Sequence, residues 1–355
     1  MVGTRHGDRE TERRGENSPR RCVAVTPRLF VPLLLLLTVQ CSLLTASAAW
    51  TRQRSGTMAW LHAVYFLDQS HGWVAGSGST LLETRDGGQT WRKLYSLTTD
   101  TLRDVYFADE KTGLLLCERD SLKLKTNDEA RAYLLKTTDG GLSWRRVNFE
   151  GLDVNARLAH AVFAGAERGW VFGESGVVLA TNDGGTHWTP RTLPTRHLLL
   201  GGARDGTRGW LVGAGATIVQ TSDGGLTWQR SIVRDGAGAR FTAASFVGHS
   251  LGWTVGSGGR IFATTDGGHT WLEQQSNVDA DLMDVKFIDA AEGWAVGSQG
   301  VLLHTTNGGA RWAPESSGTT HALERLFFVD QSHGWAVGFG GTILRYGPSS
   351  APQLK

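Results

Sequence analysis

Cysteine is scarce in this sequence, with three residues among 355. Two of them, Cys22 and Cys41, lie within the first 48 residues, which are basic and then apolar. If that segment is removed, only Cys117 remains and no internal disulfide can form. The fold must then be held by packing of the hydrophobic residues, which make up 40% of the chain.

Signals of helices and of catalysis are also missing. No window shows a sustained 3.6-residue hydrophobic period, and 47 glycines would interrupt any helices, which excludes a helical solenoid. There is no Ser-His-Asp order, no phosphate-binding glycine loop and no His-rich metal spacing, and the 11 histidines are scattered. We therefore expect no catalytic residues, no cofactor and no metal.

Two motifs alternate along the chain instead. T-x-D-G-G-x-x-W, with Asn for Asp in the last copy, occurs at 84–91, 137–144, 181–188, 221–228, 264–271 and 305–312. GW-x-x-G occurs at 72–76, 169–173, 209–213, 252–256, 293–297 and 334–338, with GLLLC at 113–117 in the remaining slot. With the β-type stretch that precedes each GW, every unit contains four short strands bounded by turns. Seven such units predict a seven-bladed β-propeller with four-stranded antiparallel blades.

The seventh unit lacks its T-x-D-G-G-x-x-W copy. Trp50 precedes Phe66 by the same 16 residues that separate Trp91 from Phe107. We therefore predict that an N-terminal strand at Trp50 pairs with the C-terminal blade at 341–347 and closes the ring. The propeller is expected over 49–348, followed by a disordered tail at 349–355.

Residues 1–48 predict an export signal. An Arg-rich leader precedes the apolar run at 29–44 and an Ala46-Ser47-Ala48 cleavage site. An uncleaved anchor is the alternative, because the run is nearly long enough to span a bilayer. Without residues 1–48 the chain has 29 basic and 30 acidic groups, so its charge gives no reason to expect nucleic acid as a partner. We expect an exported protein of the periplasm or cell envelope.

The DGG segments are interpreted as structural turns. Asp accepts hydrogen bonds from the backbone just downstream, and Gly adopts positive φ without strain. A metal site is the alternative, but calcium requires six to eight oxygens and each turn offers one carboxylate. The turn residues are Asp86, Asp139, Asp183, Asp223, Asp266 and Asn307.

The T-x-D-G-G-x-x-W copies resemble the Asp-box, or bacterial neuraminidase repeat. Paired with GW-x-x-G over nearly all of 50–346, they resemble the photosystem II stability and assembly factor family of propellers. In photosynthetic members, this resemblance implies a scaffold in the thylakoid lumen or at the membrane that holds a newly made reaction-centre protein. It favours a monomer that binds a protein partner, such as a membrane protein or an assembly intermediate.

Asp-boxes also occur in enzymes, so a carbohydrate-binding or glycosidase-like propeller is the alternative function. A sialidase requires an arginine trio, a Tyr nucleophile and commonly Arg-Ile-Pro, but this sequence has no Arg-Ile-Pro and only five tyrosines. The xyloglucan-active enzymes place paired carboxylates between two propellers, and this chain encodes one. We therefore expect a scaffold without enzyme activity.

The variable segments are expected to carry the function. The turn at 118–131 in the second blade is enlarged, and it is either a solvated loop or a partner contact. A set of arginines is expected in the connections that leave neighbouring blades, where it predicts a basic, partner-binding arc; ordinary surface charge is the alternative. The set is Arg145, Arg146, Arg191, Arg196, Arg230 and Arg234.

Overall fold

The computed structural model describes residues 48–120 and 129–348. The expected export signal before residue 48, the centre of the 118–131 turn and the predicted 349–355 tail lie outside the described residues. The chain divides into two units, Met1–Thr45 and Ala46–Lys355, and every strand below belongs to the second. Within the described ranges, no helix has the length and apolar character needed to cross a membrane.

The described residues form seven sheets, which confirms the predicted seven-bladed architecture. The innermost strands are β2 (Leu61–Phe66), β6 (Thr101–Phe107), β10 (Leu158–Ala164), β14 (Leu199–Asp205), β19 (Phe241–Val247), β23 (Leu282–Phe287) and β27 (Leu323–Asp330). The second strands are β3 (Gly72–Gly76), β7 (Gly113–Glu118), β11 (Arg168–Gly173), β15 (Arg208–Gly213), β20 (Leu251–Gly256), β24 (Gly293–Gly297) and β28 (His333–Gly338). The sheets are numbered below as blades 1 to 7 in this order.

The outer half of each blade is shorter. The third strands are β4 (Leu81–Thr84), β8 (Ala132–Thr137), β12 (Val178–Thr181), β16 (Thr217–Thr221), β21 (Ile261–Thr264), β25 (Leu302–Thr305) and β29 (Ile343–Pro348). The outermost strands are β5 (Arg92–Leu94), β9 (Arg145–Val147), β13 (Thr189–Arg191), β17 (Gln229–Arg230), β22 (Thr270–Gln274), β26 (Ala313–Pro314) and, in blade 7, β1 (Ala48–Gln53). One-turn 3-10 helices lie between the second and third strands at Glu174–Gly176, Ser257–Gly259, Ser298–Gly300 and Phe339–Gly341.

The blades follow one another around a ring. Each innermost strand contacts the innermost strand of the next blade, and β27 contacts β2. β1 pairs with β29 in antiparallel fashion, with Trp50 opposite Tyr346. Blade 7 therefore contains both the first and the last strand of the described chain, and these two strands satisfy each other's hydrogen bonds.

Blade 5 contains a fifth strand that the sequence pattern does not indicate. β18 (Ile232–Val233) pairs in parallel with the outer edge of β22. The N–H groups of Ile232 and Arg234 donate to the carbonyls of His269 and Trp271. This segment comes from the connection between blades 4 and 5, and two residues are too short to show a strand periodicity.

The tryptophan of the GW-x-x-G motif packs between blades. Trp253 of blade 5 stacks on Phe287 of blade 6, with ring centroids 3.5 Å apart and planes 7° apart. Phe287 in turn meets Trp312 of its own blade edge-on, at 5.6 Å and 89°. The same tight Trp–Phe stack joins Trp73 to Phe107, Trp210 to Phe246 and Trp335 to Phe66. These interfaces therefore contain a three-ring unit, which is a favourable aromatic geometry.

The two glycines of the motif make room for this packing. A Cβ atom at Gly293 would lie 2.6 Å from the ring of Phe287, and one at Gly252 would lie 2.4 Å from the ring of Phe246. At the other end of the motif, a Cβ at Gly297 would lie 2.1 Å from the carbonyl oxygen of Asp281. GW-x-x-G is thus a packing motif in which both glycines permit close approach.

Blade 4 replaces the phenylalanine of the stack with Arg204. Its guanidinium carbon lies 4.0 Å from the ring centroid of Trp170, a cation–π contact in place of the ring stack. Trp170 also contacts Trp228 edge-on at 5.1 Å. Burial lowers the pKa of Arg204 to about 10, with a smaller contribution from the charge of Arg168. Arg204 therefore occupies the position that phenylalanine occupies in the other stacks, and a cation–π contact replaces the ring stack there.

The DGG turns use their acidic side chains internally. In blade 2, Asp139 Oδ1 accepts hydrogen bonds from the Thr137 hydroxyl at 2.7 Å and from the Ser143 N–H at 2.9 Å. Gly140 and Gly141 both adopt positive φ, at 75° and 86°. The Gly140 N–H donates to the carbonyl of Lys111, which ties the turn to the first turn of the same blade.

The Asn copy forms the same turn. Asn307 Oδ1 accepts from the Thr305 hydroxyl at 3.0 Å and from the Arg311 N–H at 2.9 Å. An amide oxygen therefore replaces the carboxylate at this position without loss of these two bonds. In the acidic copies the bonds favour the ionised form: those from Ser143 and Thr137 lower the pKa of Asp139 to about 2, and those from Thr227 and Thr221 lower the pKa of Asp223.

Trp253→Leu should lower the free energy of unfolding by about 2 to 3 kcal/mol. The change removes the stack on Phe287 and the bond from Trp253 Nε1–H to the Gly308 carbonyl, which is 3.0 Å long. Urea denaturation followed by circular dichroism measures the effect. Leu272→Ala is the control, because Leu272 is 56% exposed. An equal effect of both changes would contradict the importance of the stack.

Deletion of β1 should destabilise the protein far more than deletion of residues 349–355. The first deletion removes the partner of β29 and the ring of Trp50, which lies 5.3 Å from Tyr346 and 5.5 Å from Trp294. Burial of one such aromatic contributes about 1.5–3 kcal/mol before strand hydrogen bonds are counted. Differential scanning calorimetry compares the two truncations, and equal melting temperatures would refute the role of β1.

Asp139→Asn should destabilise the protein at pH 7, because the bond from the Ser143 hydroxyl to Asp139 Oδ2 is lost. The folded-state pKa of Asp139 is depressed, so its contribution is present above the unfolded value of about 4 and declines as the pH falls toward about 2. The stability gap between variant and wild type should therefore narrow at about pH 3. Thr138→Ala, at an exposed turn position, should show no narrowing. A stability difference between Asp139→Asn and wild type that does not change with pH would contradict the lowered pKa of Asp139.

Candidate functional site at the mouth of the channel

The predicted arginines lie on the outer edges of blades 2 to 4. Arg145 and Arg146 are in β9, Arg191 ends β13 and Arg230 ends β17. The prediction that the whole set lies in connections is therefore wrong for these four, because β9, β13 and β17 each start at the residue directly after the tryptophan. Arg196 and Arg234 do lie in connections between blades.

The environments of these arginines differ. The guanidinium of Arg146 lies 4.0 Å from the ring centroid of Tyr133, and its Nε donates to Asn148. Arg191 is half-buried, and its Nε has no hydrogen-bond partner in the described part of the chain. Arg145 and Arg230 are exposed. The structure therefore spreads the set along the rim and does not gather it into one pocket.

The described residues do form a pocket of about 290 Å3 at the centre of the ring. The opening of this pocket is called the mouth. Its walls come from the starts of the innermost strands of blades 2 to 7, on the face that carries the connections between blades. This face, with the turns between second and third strands, is called the upper face. Four arginines line the pocket from four blades: Arg103, Arg157, Arg240 and Arg325.

Sequence reasoning missed these four arginines. Each innermost strand has a register shift close to its start, between Leu102 and Asp104 in β6 and between Leu323 and Arg325 in β27. Such a bulge re-aims the side chains around it. The shift places Arg103 and Arg325 on the pocket wall, and a strand pattern alone does not reveal it. The available signal was an arginine within two residues of the start of several innermost strands.

On the pocket wall between blades 2 and 3, the carboxylate of Glu118 pairs with three arginines. Glu118 accepts from Arg103 Nε at 2.6 Å and from Arg157 Nε at 2.7 Å, and it pairs with Arg131 at 2.9 Å. Burial acts to raise the pKa of Glu118, but Arg103 and Arg157 outweigh it and hold the pKa below its usual range. Arg157 also pairs with Glu174 at 3.2 Å. The wall stays cationic because three guanidinium groups share two carboxylates.

The opposite wall has unused hydrogen-bond donors. Arg240 is exposed, and its guanidinium makes no hydrogen bond or ion pair with any described residue. Arg325 donates from Nη1 to the Glu324 carbonyl, but its buried Nε has no partner among the described residues. Glu324 itself is paired with His62 at 3.0 Å. Apolar lining completes the pocket, from Leu158, Leu198, Leu200 and Met283.

Two carboxylates within the innermost strands, Asp104 in β6 and Asp284 in β23, hold neighbouring blades together. Asp104 Oδ2 accepts from the Ala161 N–H, and Asp284 Oδ2 accepts from the Leu326 N–H, each at 2.8 Å. Each bond crosses from one innermost strand to the next. These groups are therefore part of the frame that positions the pocket. Over residues 48–120 and 129–348, no group of three His, Cys, Asp or Glu side chains is placed to hold a metal ion.

Known proteins with similar sequences and folds are assembly factors and propeller enzymes. Photosystem II assembly lipoprotein Ycf48 of Synechococcus sp. (strain CC9902) is 29% identical over 127 residues, which are 35% of this chain and 33% of that protein. Matches to curated relatives span only 12% and 33% of those proteins. The structure of YCF48 bound to a D1 peptide has 22% identity and a TM-score of 0.69, over 84% of this chain and 97% of that one.

A GH74 xyloglucanase from Xanthomonas campestris has the same blade architecture, with 15% identity and a TM-score of 0.65 over 86% of this chain and 55% of that one. At these identities the two structural likenesses establish the fold alone. The family model for photosynthesis system II assembly factor YCF48 matches residues 43–109, 91–204, 192–275 and 275–347, a range that includes all seven blades. The chain therefore belongs to the YCF48 family of photosynthesis system II assembly factors.

Proposed function

We propose that this protein is an exported assembly factor without enzyme activity, and that it binds a polypeptide partner at the mouth of the channel on the upper face. The observation that carries the proposal is the pair Arg240 and Arg325. Both guanidinium groups line the central pocket; no described residue bonds that of Arg240, and that of Arg325 donates only from Nη1, to the Glu324 carbonyl. A guanidinium forks onto a carboxylate with two parallel hydrogen bonds, so a carboxylate is the chemistry these donors fit.

The partner is an extended acidic segment. About 290 Å3 accommodates one or two side chains and is too small for a folded domain. The lining combines arginines with Leu158, Leu200 and Met283, so it suits a carboxylate flanked by apolar atoms. The existence of a YCF48 structure with a D1 peptide supports a peptide as the class of ligand.

Export is proposed on the apolar run at 29–44, which precedes the first strand of the propeller. The Synechococcus relative bears the name of a lipoprotein, which supports an exported protein. We therefore place the protein in the periplasm or cell envelope, and in the thylakoid lumen if its source is photosynthetic. We expect it to act as a monomer toward a membrane protein or an assembly intermediate.

The carbohydrate-processing alternative requires two carboxylates free to act as acid and base. At the mouth, Glu118 is held by Arg103, Arg131 and Arg157, and Glu174 is held by Arg157. Guanidinium pairing holds the pKa of Glu118 below its usual range, so this carboxyl group is not poised as an acid. This arrangement supports binding over hydrolysis.

The rim arginines remain an alternative contact surface, and they provide a matched comparison. Arg240→Glu with Arg325→Glu and Arg145→Glu with Arg230→Glu change the net charge equally. The probe is a fluorescein-labelled peptide of about 12 residues made of Glu, Ser and Gly. We expect the mouth variant to weaken binding at least about tenfold, equivalent to about 1.4 kcal/mol, and the rim variant to stay within about twofold of wild type.

Fluorescence anisotropy measures both affinities, with circular dichroism to confirm folding. Added salt should weaken binding to the wild type, because the contact is between charges at an accessible mouth. The reverse ranking of the two variants would assign recognition to the rim. Unchanged binding in both variants would reject a role for either set of arginines.

A further inference from the structure

Trp60 is the one tryptophan of 14 that lies outside the repeat motifs. It is 43% exposed, whereas the other 13 are buried or half-buried. It directly precedes the innermost strand of blade 1. The corresponding residues of blades 2 to 7 are Thr101, Arg157, Leu198, Arg240, Asp281 and Ala322. The blade fold therefore does not require an aromatic ring at this position.

Trp60 belongs to an exposed cluster on the upper face. Its ring meets Phe339 edge-on at 5.6 Å, and Phe339 is 49% exposed. Met58, two residues before Trp60, is 80% exposed. Phe339 follows the second glycine of GW-x-x-G, a slot that holds serine, alanine or glutamate in the other blades. Met58, Trp60 and Phe339 are called the aromatic patch.

The aromatic patch is linked to the pocket mouth through the buried side chain of His62. The ring centroid of Trp60 lies 5.4 Å from that of His62, and His62 Nδ1 lies 3.0 Å from Glu324 Oε1. Glu324 lines the pocket, and its carbonyl accepts from Arg325. A peptide with a carboxylate on Arg325 would therefore extend over the patch when it leaves the pocket toward blade 1.

We propose that the aromatic patch binds an apolar side chain of the partner, a few residues away in sequence from the carboxylate that the mouth receives. This inference rests on the proposed function of the mouth. Tryptophan, phenylalanine and methionine are enriched at the centres of protein interfaces, and exposed aromatic anchors account for much of the binding energy there. The recognised segment therefore contains both an acidic residue and an aromatic or aliphatic residue.

Charge argues against a second copy of this chain as the occupant. Five arginines surround the mouth, including Arg131, against the three glutamates Glu118, Glu174 and Glu324. Two upper faces brought together would place two cationic mouths opposite each other, which like charges disfavour. An acidic peptide complements the mouth and supplies the side chain for the patch in the same molecule.

The test compares two labelled peptides of equal length and charge that differ only in one residue beside the acidic block, Phe in one and Ser in the other. We expect wild-type full-length protein to bind the Phe peptide about tenfold more tightly. Trp60→Ser with Phe339→Ser should bind both peptides with the affinity that the wild type has for the Ser peptide. The matched control is Leu142→Ser with Leu226→Ser, which alters exposed leucines in the DGG turns of the opposite face and should leave the preference intact.

Met58→Glu is a second variant at a highly exposed position, where folding should be unaffected, and it should reduce the preference as well. Equal binding of both peptides by wild type would overturn the patch and leave the proposed function standing. Binding of neither peptide would overturn both. A preference that survives in Trp60→Ser with Phe339→Ser, or a concentration-dependent dimer in sedimentation that the same change abolishes, would also overturn the inference.

Discussion

The stacked tryptophan and phenylalanine between neighbouring blades are the contact on which the ring depends. Without an internal disulfide in the described chain, where Cys117 is buried and unpaired, each blade must be held by its neighbours. At three interfaces the second-strand tryptophan also donates from Nε1 to a DGG carbonyl of the next blade: Trp210 to Gly267, Trp253 to Gly308 and Trp335 to Gly87. At these interfaces one side chain fixes both the packing and the turn of the adjacent blade, which links the two motifs of the sequence physically.

This arrangement separates the two faces of the molecule. On the lower face, the DGG turns bond to themselves, to the first turns of their blades and to tryptophans of neighbouring blades, so their sequences are nearly uniform. On the upper face, the starts of the innermost strands need only a buried residue such as Leu102 or Leu323, and the positions around it are free to vary. Variation therefore accumulates around the mouth, where a ligand can contact several blades at once.

The seven blades could be predicted from sequence because most units repeat the same residues at similar intervals. The mouth could not, because Arg103, Arg240 and Arg325 come from strands far apart in sequence and reach one pocket only through the ring and the bulges. β18 could not be predicted either, because its two residues form a strand only through pairing with the neighbouring edge of β22. Trp60 did stand out in the sequence, as the tryptophan without a slot, but its neighbour Phe339 is almost 280 residues away.

The distribution of charge at the mouth is asymmetric, and this asymmetry indicates on which side a ligand carboxylate would bind. On the side of blades 2 and 3, Glu118 supplies the carboxylate that lets Arg103, Arg131 and Arg157 lie close together. On the side of blades 5 and 7, no described carboxylate bonds Arg240, and Asp284, whose charge acts on Arg325, bonds the Val285 and Leu326 N–H groups instead. A ligand carboxylate on this side would do for Arg240 and Arg325 what Glu118 does for the facing wall, so affinity would arise from completing a charge network that the fold leaves half built.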